Sequence, residues 1–181
     1  MTVAGLLAVV TAGGCGASRP TYAEAAATDT ADTVCALLRD WNNDLTEAFN
    51  DTSAAITDAD DPATSVDVLV EGFDEMIAIA EARRAELDEL DLPAVDEREA
   101  LLDELIAGAD ESLAVLEDER EEAAALPPVD IEDQAGAIGG ASVGLERATS
   151  VLEPSIGRYD DELLREAFAT DGGCEHVIQP F

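Results

Sequence analysis

Apolar residues in this chain return at steps of three and four over long stretches, and no segment alternates convincingly with a period of two. The first such stretch places Val34, Leu37, Leu38, Trp41, Leu45, Ala48 and Phe49 on one face. Asp29 or Thr30 can cap it, and it is expected to run to about Asn50, with Ile56 as an outer limit. Asp58-Ala59-Asp60-Asp61-Pro62 then breaks the pattern with turn-forming residues. A second helix follows, with Val66, Leu69, Val70, Phe73, Met76, Ile77, Ala80, Leu87 and Leu90 along its stripe, closed by Leu92-Pro93 because proline disfavours helical geometry in the residue before it. A third is expected from about Ala94 to Pro127-Pro128, with Val95, Leu101, Leu102, Leu105, Ile106, Ala109, Leu113 and Leu116 inward. A fourth, from Ile131 to about Glu153, carries Ile138, Val143, Leu145, Val151 and Leu152, and a short last helix carries Tyr159, Leu163, Leu164 and Phe168 beyond Pro154. With aromatic residues at 4% and β-branched ones sparse, the fold class is all-α. Short, proline-marked turns favour an up-and-down antiparallel helical bundle of about four helices plus a short C-terminal helix.

The outside of those helices is strongly acidic. The formal charge is −33, from 42 acidic and 9 basic residues, and every basic residue is arginine. Phosphate recognition needs clustered cations, so nucleic acid is excluded as a partner, and anionic membrane surfaces are disfavoured for the same reason. Loose condensation of divalent cations on such a surface is expected, without a dedicated metal site. The acidity has two readings from sequence, adaptation to salt or the replacement of Lys by Arg in a GC-rich genome, and both stay open.

Ahead of the helical region lies Val3 to Cys15, VAGLLAVVTAGGC, an uncharged apolar run ending in small residues and a cysteine. It is shorter than the roughly 18 residues a permanent span requires, and has the length of the apolar region of a signal peptide. Thr11-Ala12-Gly13-Gly14-Cys15 resembles the lipobox of prokaryotic lipoproteins. That resemblance, confined to the first fifteen residues, implies cleavage before Cys15, lipid on its sulfur, and a membrane anchor facing outside the cytoplasm. The corresponding division is residues 1–14 as cleaved signal peptide, 15–29 as lipidated cysteine and flexible tether, and 30–181 as the helical bundle domain. Lipidation of Cys15 leaves Cys35 and Cys174 as an even pair in an oxidising compartment, where a disulfide is expected. Such a bridge would close nearly the whole domain into one loop, worth about 4–5 kcal/mol in the chain-entropy model. Two unrelated thiols are the alternative.

Few residues offer chemistry. His176 is the only histidine and lacks Glu-x-x-His spacing, which removes the common di-iron arrangement of bundles and leaves no nucleophile–base–acid set. Asp58, Asp60 and Asp61 fail the calcium-loop pattern, since Ala63 and Leu69 stand where Gly and Glu are needed. Gly136, Gly140 and Gly144 share a helix face, which suggests close packing against another helix, with a locally unwound, ligand-binding segment around Gly139 and Gly140 as the second reading. Trp41 sits on the apolar stripe, as core or as the wall of a pocket. The expectation is therefore a non-enzymatic lipoprotein of the cell envelope without cofactors, with a binding or structural role; the alternative is an extracytoplasmic module for a small ligand or divalent cation.

The charge alone generates one prediction. Raising ionic strength from about 0.1 M to about 1 M shortens the Debye length from about 10 Å to about 3 Å, so self-repulsion should fall and the melting temperature should climb across that series. A flat or falling curve, followed by circular dichroism, would contradict salt adaptation.

Overall fold

The computed structural model of the chain describes residues 21–59, 61–127, 131–152 and 160–170. Among them are five helices and no strand: α1 (Tyr22–Asp58), α2 (Pro62–Asp88), α3 (Arg98–Ala124), α4 (Ile131–Ser150) and α5 (Glu162–Thr170). The fold is an all-α helical bundle with a short C-terminal helix. The expected signal peptide, Cys15, Cys174 and His176 lie outside the described residues.

α1 starts earlier than the periodicity indicated. Thr21 caps it through a reciprocal box: its Oγ1 accepts from Glu24 N–H at 3.2 Å while Glu24 accepts from Thr21 N–H at 2.5 Å. Residues 22–29, expected in the tether, are thus helical, and Ala26 and Ala27 are buried. The alanines there favour helix and give their small faces to the core, a signal that a search for large apolar residues passes over. α2 begins as expected after Asp61, whose Oδ1 accepts from the Ala63 and Thr64 N–H groups at 3.0 Å, with Pro62 in the first turn. It ends at Asp88, short of Leu92-Pro93. α3 begins at Arg98 rather than near Ala94, because Glu97 takes a left-handed conformation (φ 62°, ψ 10°), unique among the described non-glycine residues. That conformation costs a residue with a side chain about 1–2 kcal/mol.

The register of cross-helix pairs shows the helices to be antiparallel. Thr52 lies by Gly72 and Asp44 by Arg83 across α1–α2; Asp74 meets Arg120 and Asp110 meets Arg84 across α2–α3; Gly108 faces Val151 and Glu119 faces Gly144 across α3–α4. α4 also approaches α1, whereas α1 and α3 make no close backbone approach, so the four helices form a ring with α1 and α3 on a diagonal. α5 packs on α1. Inside the ring Trp41, Leu45, Met76, Ala80, Leu101, Leu116 and Phe73 are at most 1% exposed. Arginines tie successive helices: Arg83 to Asp44 (α2–α1), Arg84 to Asp110 and Arg120 to Asp74 (α2–α3), and Arg147 to Glu119 (α4–α3).

The close approaches are not made by the glycines that drew attention in sequence. A Cβ added at Gly136, Gly139 or Gly140 would meet nothing within 4 Å, and all three are exposed. Only Gly144 faces a neighbour, the side chain of Glu119. Val143, expected inward, is 57% exposed, because the buried stripe of α4 runs through Ala141, Leu145 and Ala148 instead, continued by Leu152 just past its end. The glycines that permit close approach are Gly72, where a Cβ would lie 2.2 Å from Thr52 Oγ1, and Gly108, where it would lie 2.6 Å from the Val151 carbonyl oxygen. Thr52 cannot readily yield, being buried with its hydroxyl on the Ala48 carbonyl at 2.8 Å.

Alanine substitutions should therefore split by sign. Gly72→Ala and Gly108→Ala should each cost about 1–3 kcal/mol through overpacking, whereas Gly139→Ala and Gly140→Ala should each stabilise by about 0.5–1 kcal/mol. Urea unfolding of the four variants reads both directions.

Candidate functional site

Near the last turns of α3 the chain carries Glu117-Asp118-Glu119-Arg120-Glu121-Glu122, a run too acidic to be buried as a whole. Helical periodicity sorts it. Ala123 and Leu116 turn into the core, Arg120 reaches back to Asp74, and Asp118, Glu119, Glu121 and Glu122 line a cleft of about 490 Å³ with Ala125 and with Arg147 of α4. The cleft is open to solvent, and its one cation, Arg147, donates to Glu119 Oε1 at 3.0 Å.

Glu119 is the most constrained acid of this group, with its side chain 15% exposed and lying where the Cβ of any residue but glycine at 144 would stand. Desolvation, followed by repulsion from Glu122, pushes its carboxyl above the ordinary range, and Arg147 only partly offsets this. Elsewhere the direction reverses. Hydrogen bonds from Thr64 hold the Asp61 carboxyl low, Thr21 does so for Glu24, and the Arg120 guanidinium does so for Asp74. Chemically the cleft can attract a cation or a basic side chain. Among the described residues, no group of three His, Cys, Asp or Glu side chains is arranged to hold a metal ion. Asp61, one of the acids weighed as a calcium ligand, already accepts from the start of α2 through one oxygen and from Thr64 Oγ1 at 2.7 Å through the other.

The residues singled out from sequence do not converge. Trp41 is wholly buried in the bundle core, while Gly139 and Gly140 face open space on α4, so they do not wall a common pocket. The Nε1 of Trp41 is buried without a hydrogen-bond partner among the described residues, as is Oγ of Ser112 on α3. A buried donor left unpaired costs about 1–3 kcal/mol. Cys35 is 2% exposed on α1; the other two cysteines, Cys15 and Cys174, are not among the described residues. Sequence inspection passed over the cleft, because a run of like charges reads as a solvated face until Arg147 and Gly144 are brought beside it from another helix. No helix among the described residues is long and apolar enough to cross a membrane. Comparison of the chain with protein-family models, with curated proteins and with solved structures finds no match.

Two measurements follow from this geometry. The single tryptophan should emit at short wavelength and resist acrylamide quenching until the bundle unfolds; ready quenching in the native state would place Trp41 at the surface. Because the Glu119 carboxyl is raised, its contribution to stability is fully present below the ordinary glutamate value of 4.5 and is lost as pH rises through the higher folded value. Glu119→Gln should therefore melt higher than the parent at pH 7, and the gap should close as the pH is lowered to 4 and below.

Proposed function

We propose that this protein is a non-enzymatic lipoprotein of the cell envelope, anchored through lipid on Cys15, whose acidic helical bundle is displayed outside the cytoplasm for a binding or structural role. The observation that carries this reading is Thr11-Ala12-Gly13-Gly14-Cys15 at the end of a short apolar run; with Cys15 lipidated, Cys35 and Cys174 remain as an even pair, and disulfides persist in exported proteins and are rare in reducing compartments. The partner of Cys35 in this reading is Cys174. That pairing is supported by α5, which packs on α1, the helix of Cys35, and ends at Thr170, within a few residues of Cys174. The lipobox resemblance at Thr11–Cys15 and the capped start of α1 soon after it fit a lipid tail joined to the bundle by a short spacer. The acidic exterior suits cationic partners, and lipid rather than the protein face supplies membrane attachment.

A second reading, a module for a small ligand or divalent cation, is favoured by three buried side-chain groups without a partner among the described residues, Trp41 Nε1, Thr46 Oγ1 and Ser112 Oγ. Thermal-shift screening with small metabolites and divalent ions separates the readings, since only the second expects saturable stabilisation. For the first, intact-mass and peptide mass spectrometry of protein isolated from its native membrane should show a diacylglyceryl group on an N-terminal Cys15 and a Cys35–Cys174 linked peptide. An unmodified N-terminus would overturn the anchor, and a different cysteine pairing would overturn the staple.

A further inference from the structure

The strained backbone at Glu97 has a counterpart in its side chain. Glu97 Oε1 accepts from Asp160 N–H at 3.1 Å and Oε2 from Asp161 N–H at 3.0 Å, so one carboxylate holds two successive amides at the threshold of α5, more than sixty residues away in the chain. Asp161 then caps α5 itself, its Oδ1 accepting from Leu163 and Leu164 N–H at 2.9 and 3.1 Å. α5 has nine residues, too few to persist as an isolated helix in water, so it exists docked or melts. Its seat is small: Leu164, Ala167 and Phe168 are its buried side chains, and among the helices it packs only on α1. A left-handed glutamate at the start of α3 has no benefit for α3, which receives no side-chain cap from it. The benefit lies in where that conformation sends the carboxylate.

We infer that α5 is a strap that docks and melts as a unit, separately from the ring of α1 to α4, and that Glu97 is the latch that holds it shut. Melting of the strap uncovers Leu164 and Phe168 together with the part of α1 beneath them, and leaves the ring intact. The strain at position 97 belongs to the closed state, so latch and helix start pull in opposite directions at one residue.

That opposition makes the inference testable by hydrogen exchange on the full-length protein. Glu97→Gly relieves the left-handed backbone and deletes the latch; amides of residues 163–168 should exchange at least about tenfold faster, the loss expected from two hydrogen bonds to a charged group, while those of residues 101–116 in α3 exchange no faster than in the parent. Glu97→Gln keeps an acceptor but not the charge and should fall between. Unchanged exchange in α5 for both variants, or α3 quickening in step with α5, would overturn the latch.

Discussion

Every seam in this bundle joins two helices that carry excess negative charge, and that repulsion sets the terms for the rest of the structure. Apolar burial supplies the attraction, at roughly 25 cal/mol for each Å² removed from water, but the rims of the seams would still set carboxylate against carboxylate. Four of the nine arginines stand at those rims. Arg83, Arg84, Arg120 and Arg147 bridge three successive seams, each engaging a carboxylate of the neighbouring helix. Exposed pairs of this kind contribute little singly. Their effect here is to turn the places where like charges would be closest into places of attraction.

Packing at the seams is uneven, and the unevenness has local causes. Where Gly72 meets Thr52 and Gly108 meets the Val151 carbonyl, the missing Cβ lets backbones close to distances an alanine would prevent. Where α4 turns its glycines to solvent, no such contact compensates for their cost to the helix. Between α3 and α4 a glycine accommodates an acid instead of a backbone: Gly144 leaves room for Glu119, which is partly desolvated as a result and reaches Arg147. The cleft at that end therefore combines a raised carboxyl, several solvated ones and a single cation. At the opposite end of the ring, Glu97 joins the start of α3 to the start of α5.

Much of the fold was legible from the spacing of large apolar residues. Trp41, Leu45, Phe73, Met76, Leu101, Leu105 and Leu116 were all expected inward and are all buried. Turn chemistry located α2, since Asp61-Pro62 is both a stop and a start. The errors fell where small residues or a lone backbone angle decided the outcome. Alanines 26 and 27 extend α1 into the expected tether, Val143 was placed one step off the true stripe of α4, and Glu97 delays α3 although nothing in its type favours a left-handed backbone.

The chain by itself determined that it would be helical, amphipathic, acidic and closed around Trp41, because periodicity and charge are properties that each helix expresses alone, within a few turns. Which glycine meets a backbone and which meets water, which acid is desolvated, and which carboxylate reaches the amides ahead of α5 were decided only by the tertiary structure. Each of those depends on the register between helices, and register comes from contacts between residues tens of positions apart, summed over a whole interface. No local pattern encodes that sum.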